Sequence, residues 1–155
     1  MQRKIARWVI DHDPHDTRRC YAQLPVGTNC TCNQCKNFDA AVGRVFPTEF
    51  VALLDSLGID PTKPADLCHY SRERSSLYLT GGWFHFVGSI VVGDDAIHWE
   101  NNTGTFRFEQ LGSRLAFGLT GRLALVREAF AGMPLVQLEF QTCVPWVLAE
   151  PEPEA

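Results

Sequence analysis

A chain of 155 residues, 45% apolar and 21% charged, has the size of one domain and can bury a core without disulfide staples. Its 14 basic and 18 acidic side chains give a net charge of −4 and form no basic stripe, which argues against nucleic acid as a partner. No stretch approaches the roughly 18 apolar residues of a membrane span. The basic start Met1–Ile10 has too short an apolar run for a signal-peptide core, and acidic residues follow at once. The expected compartment is the cytoplasm, where thiols stay reduced and closely spaced cysteines favour metal or catalysis over disulfides.

In chain order, residues 3–10 read as a short strand, Asp11–Asp16 as a polar loop around Pro14, and 17–29 as irregular. Phe38, Ala41, Val42 and Val45 then recur at helical spacing, with Asn33 as a capping residue. Pro47 opens a second helix whose apolar face is Phe50, Leu53, Leu54 and Leu57, and Gly58 ends it. From residue 66 the pattern turns to strands: 67–72, 77–80, 83–92, 96–100, 105–110, 114–119, 122–127 and 135–142. Gly81-Gly82 suits a turn or bulge, and Leu123–Phe130 also fits one short helix.

Short strands on short turns cannot make parallel crossovers. The expected fold is therefore α+β, with two N-terminal helices packed on a mostly antiparallel sheet or partly closed barrel. One domain spans 1–149, with a cysteine-bearing helical part at 20–58 and an antiparallel part at 66–148. Residues 150–155, acidic and Pro-rich, read as a disordered tail.

Chemistry concentrates at Cys30-Thr-Cys32-Asn-Gln-Cys35, where three of the six cysteines fall together. Structural zinc takes four thiolate or imidazole ligands in a tetrahedron. Cys30, Cys32 and Cys35 supply three, and Cys68 on the first strand of the sheet is put forward as the fourth. Cys20, His69, His12 and His15 are weaker candidates. A redox reading stands beside this one. Cys32 and Cys35 lie at a helix N-terminus, where the dipole favours a thiolate, but no thioredoxin-like βαβ context surrounds them. Three inert, partly buried cysteines are the third possibility.

Other groups carry weaker signals. Asp11-His-Asp-Pro-His-Asp16 offers imidazoles and carboxylates, but reads best as a solvated turn. In Gly81-Gly-Trp-Phe-His-Phe-Val-Gly88, alternation puts Trp83 and His85 on one face. That is the pattern of a core histidine, or of an aromatic wall able to hold a small ligand. Phosphate-binding glycine loops, G-x-S-x-G elbows and H-E-x-x-H pairs do not occur.

The blocks Cys30-x-Cys32-x-x-Cys35-x-Asn37-Phe38, Leu57–Asp60, Gly81–Gly88 and Val144–Leu148 resemble a family of uncharacterised bacterial proteins, a domain of unknown function. The resemblance implies bacterial origin and one compact unit, and supplies no catalytic residue. The expectation is a small zinc-binding module that engages a protein or small molecule. The alternatives are a thiol enzyme or redox protein using Cys32 and Cys35, and a small-molecule binder built around His85. The sequence does not set the oligomeric state.

Overall fold

The computed structural model describes residues 1–28 and 30–153. Its strands are β1 (Gln2–Ile5), β2 (Trp8–His12), β3 (Asp66–Arg74), β4 (Leu77–Val92), β5 (Ile97–Glu100), β6 (Thr103–Phe106), β7 (Glu109–Leu111), β8 (Leu115–Thr120) and β9 (Leu135–Pro145). Its α-helices are α1 (Pro14–Ala22), α2 (Asn33–Val45) and α3 (Thr48–Leu57). The main sheet is antiparallel throughout, in the order β1-β2-β4-β9-β8-β7, with β3 on the free edge of the first half of β4. It is an open sheet, not a barrel. β5 and β6 form a separate hairpin.

The two expected helices bury the faces their spacing defined. Phe38, Ala41 and Val45 of α2 and Phe50, Leu54 and Leu57 of α3 join the core with Phe84, Phe86, Leu138 and Phe140 of the sheet. Phe46, between the helices, meets the rings of Phe38, Phe50, Phe84 and Phe140 at centroid distances of 5.1–6.2 Å. Gly58 closes α3 in the left-handed conformation at φ 83°, which glycine adopts without a Cβ penalty. Pro47 is the N-cap of α3 rather than its first residue, and Cys32 rather than Asn33 caps α2.

Five further expectations are corrected. Residues 3–10, read as one strand, divide between β1 and β2, which pair with each other as a hairpin. Residues 14–22, read as loop and irregular chain, form α1, so the helical part begins before residue 20. Asp13 caps it, accepting a hydrogen bond from Asp16 N at 2.9 Å, and Pro14 holds the first position, where its missing N–H costs nothing. β4 runs unbroken through Gly81-Gly82, because these glycines give close approach instead of a turn. A Cβ on Gly81 would meet the Tyr70 ring at 2.7 Å, and one on Gly82 would meet Asp66 O at 2.7 Å. Segment 105–110 divides between β6 and β7. Residues 122–127 form no strand, and only Glu128–Phe130 make a short 3₁₀ turn.

α1 completes the sheet. Between the stretches paired with β3 and β2, the edge of β4 leaves His85 and Val87 without a strand partner. The Tyr21 hydroxyl donates to His85 O at 2.7 Å and accepts from His85 N at 3.2 Å. Thr17 Oγ1 accepts from Val87 N at 2.9 Å, and Asp13 N donates to Val87 O at 3.0 Å. Two side chains of α1 and the amide of its capping residue thus satisfy backbone groups that would otherwise be buried without partners.

Candidate metal centre

The cysteine loop folds back on itself at the start of α2. Cys30 Sγ accepts from Cys32 N at 3.4 Å, and Cys32 Sγ accepts from Cys35 N at 3.4 Å. Cys30 Sγ and Cys32 Sγ are 3.1 Å apart. All three sulfurs lie within 4.8 Å of one another, a separation compatible with one shared metal ion. Cys30 and Cys32 are exposed, whereas Cys35 is buried.

The protons on this cluster are unevenly held. Hydrogen bonds from the Cys35 thiol and the Cys32 amide lower the Cys30 pKa below the usual thiol value. Burial, reinforced by its two sulfur neighbours, pushes Cys35 well up. A thiol of that kind ionises readily only when a cation replaces its proton.

β3 brings an imidazole against one of these sulfurs, although His69 is not within 4.8 Å of all three. His69 Nε2 lies 3.5 Å from Cys35 Sγ. With zinc bonds of about 2.3 Å to sulfur and 2.0–2.1 Å to nitrogen, a tetrahedral S–N edge is roughly 3.6 Å. Burial lowers the His69 pKa, which keeps the imidazole neutral and its lone pair available.

Cys68 does not join this group. Successive strand residues face opposite sides, so with His69 turned towards Cys35, Cys68 lies on the far face of the sheet. Its neighbours there are Asp66, Tyr70 and Glu139, and burial followed by these carboxylates raises its pKa. Cys20 is buried, with its Sγ 3.6 Å from Met133 Sδ, and His12 is buried in the second half of the sheet. His15 falls in a second group with Asp13 and Asp16, also within 4.8 Å of one another. There Asp13 serves as a helix cap, Asp16 pairs with Arg19 at 3.3 Å, and His15 is exposed.

The two residues of the expected aromatic wall are held by protein groups. Gln137 Nε2 donates to Glu139 Oε1 at 2.9 Å, which turns Gln137 Oε1 towards His85 Nε2, also at 2.9 Å. His85 therefore carries its proton on Nε2. Phe130 packs edge-on against its ring. Trp83 Nε1 donates to Ala124 O at 3.0 Å, and Ala124 N donates to Gln137 Oε1 at 2.8 Å. The 121–130 segment thus lies over the face on which a ligand would stack. Burial lowers the His85 pKa and raises that of Glu139.

The space beside the metal-ligand group is small. A cavity of about 90 Å³ opens next to His69, between Gln34, Arg72 and Tyr78. Pockets that hold small molecules usually have roughly 300 Å³ or more, so this place is small for a substrate.

No helix among the described residues is long and apolar enough to cross a membrane. Comparison with known proteins gives no match to a family model, a curated protein or a solved structure.

Proposed function

We propose that the chain is a zinc-braced binding module in which Cys30, Cys32, Cys35 and His69 hold one structural zinc ion. The observation that supports this is the 3.5 Å approach of His69 Nε2 to Cys35 Sγ. It sets an imidazole from β3 against one of the three sulfurs at the S–N edge length of a tetrahedral site, and a bound ion would draw Cys30 and Cys32 in to complete the tetrahedron. Four protein ligands leave no open position for water, which makes the ion structural rather than catalytic. It ties the loop of residues 30–32 and the start of α2 to the edge strand β3. The stabilised surface then serves to engage a protein or small molecule.

Elemental analysis of protein purified without added metal tests the reading, with one zinc per chain expected. Cobalt substitution should give thiolate-to-cobalt charge-transfer bands and the visible absorption of a tetrahedral ion. His69→Ala should weaken binding, while Cys68→Ser should leave the stoichiometry and the cobalt spectrum unchanged. A Cys68→Ser variant that loses metal while His69→Ala keeps it would overturn the ligand set. Metal-free protein with no affinity for zinc or cobalt would overturn the function.

A further inference from the structure

Two of the four proposed ligands are open to attack and two are sheltered. Cys30 and Cys32 are exposed, while Cys35 is buried against His69. The exposed sulfurs lie 3.1 Å apart. That is about 1 Å beyond a disulfide bond of roughly 2.0 Å and shorter than the roughly 3.8 Å edge between two thiolates on a tetrahedral zinc. The hydrogen bond from Cys32 N to Cys30 Sγ bends the first sulfur back over the dipeptide towards the second.

From this arrangement we infer that Cys30 and Cys32 form a peroxide-sensitive dithiol, and that their oxidation to a disulfide releases the metal. The thiol half stands on the geometry alone, whereas the release half rests on the zinc site proposed above. The choice of partner runs against the usual C-x-x-C pairing of Cys32 with Cys35. Here the third sulfur is buried and engaged with His69, and an oxidant reaches the other two first.

The chemistry closes with hydrogen peroxide as the oxidant. The Cys30 thiolate attacks one peroxide oxygen and the O–O bond breaks. Cys30 becomes a sulfenic acid, and the departing hydroxide takes a proton to form water. The Cys32 thiolate then attacks the sulfenic sulfur. The S–S bond forms, the S–O bond breaks, and this second hydroxide also takes up a proton as water. Two thiolates, one peroxide and two protons become one disulfide and two waters, and two electrons pass from the sulfurs to the oxidant. Cys35 and His69 are left as the only ligands, too few for a structural zinc site. Cys68 cannot replace them from the opposite face of β3.

The test uses the metal-loaded wild-type chain with substoichiometric hydrogen peroxide. Zinc release is read with a chromophoric chelator, and free thiols are then alkylated for peptide mapping. One zinc released per peroxide consumed, a Cys30–Cys32 disulfide, an alkylated Cys35 and recovery with dithiothreitol are expected. A Cys32–Cys35 disulfide, or Cys30 overoxidised to sulfinic acid without a disulfide, would overturn the pairing. A Cys30–Cys32 disulfide with zinc retained would overturn the release. The same mapping on chelated protein separates this inference from the metal reading, since the Cys30–Cys32 disulfide should form there too.

Discussion

Asn37 and Val147 are joined across 110 positions of chain, with Val147 N donating to Asn37 Oδ1 at 2.7 Å. The other end of the same amide donates from Nδ2 to Pro145 O at 2.9 Å. Asn37 thus acts as a short strand partner for the end of β9, two residues after Cys35 on α2. It ties the cysteine-bearing helix to the end of β9.

This pair of hydrogen bonds makes Asn37 a point of leverage. Asn37 is buried, so Asn37→Ala leaves a donor and an acceptor without partners, at about 1–3 kcal/mol each. Denaturant unfolding should show a loss of about 2–4 kcal/mol. Asn37→Asp keeps the acceptor for Val147 N but cannot donate to Pro145 O, and should fall between wild type and the alanine variant. An alanine variant within about 0.5 kcal/mol of wild type would show that water replaces the amide.

The acidic segment at the C-terminus makes a related contact. The Glu152 carboxylate accepts from the Ser76 hydroxyl and amide and, at 2.9 Å, from the Tyr78 hydroxyl. These bonds lower its pKa. Trp146 Nε1 donates to Glu150 O at 2.9 Å, which turns the chain back towards the β3–β4 hairpin. Removing residues 150–155, of which 154 and 155 lie outside the described residues, should therefore lower the melting temperature slightly. Glu152→Gln should reproduce part of that drop. Identical melting curves for the full and shortened chains would mean that the segment contributes nothing.

The helices α2 and α3 were legible because their apolar residues recur at 3.6-residue spacing and Gly58 marks a stop. Leu54, fully buried, is the kind of residue this periodicity identifies, and Leu54→Ala should cost about 2–5 kcal/mol in denaturant unfolding. α1 was not legible from periodicity, because its sequence Pro-His-Asp-Thr-Arg-Arg-Cys-Tyr-Ala is mostly polar. The signal that marks it is the pair Asp13-Pro14, a capping acceptor followed by a proline suited to the first helical position. The three-cysteine loop was readable from spacing alone. The imidazole beside it was not, because Cys68 and His69 are adjacent and a register shift of one residue exchanges their faces. Only the pairing of His69 with Thr80 and of Cys68 with Gly81 settles which one meets α2.

His12 gives the fold an acid-sensitive point. It is 5% exposed, and neither ring nitrogen has a hydrogen-bond partner. Burial, aided by Arg3 and the N-terminus, lowers its pKa below the ordinary 6.5, while Asp11 and Asp13 oppose the shift. The unfolded chain therefore takes up this proton at higher pH than the folded one. The contribution is fully present above about pH 6.5 and is lost as pH falls through that value towards the folded pKa. His85, also lowered by burial, acts in the same direction. Glu139, raised by burial, acts in the opposite one, since its protonation favours the folded state. His12→Leu removes two unsatisfied polar atoms and should be at least as stable as wild type at about pH 7.5. Its advantage should widen at about pH 5.5, below the unfolded histidine value. An advantage of the same size at both pH values would show that His12 does not take up its proton on unfolding.

Thiol reactivity distinguishes a braced site from a working dithiol. A zinc-bound thiolate shares its electrons with the ion and reacts more slowly than a free one. Cys30 and Cys32 are exposed, so access does not protect them and any protection must come from the ion. Slow alkylation of both by iodoacetamide is therefore expected in the protein as purified, with a large acceleration after chelation. Cys35, at 4% exposure, should remain the slowest of the three even then. Chelation should also lower the melting temperature, because an ion bound only by the folded chain stabilises that chain. Readdition of zinc should restore both properties. Fast alkylation of Cys30 and Cys32 in untreated protein, with melting unaffected by chelator, would leave the thiols as an unmetallated pair and remove the brace from the account.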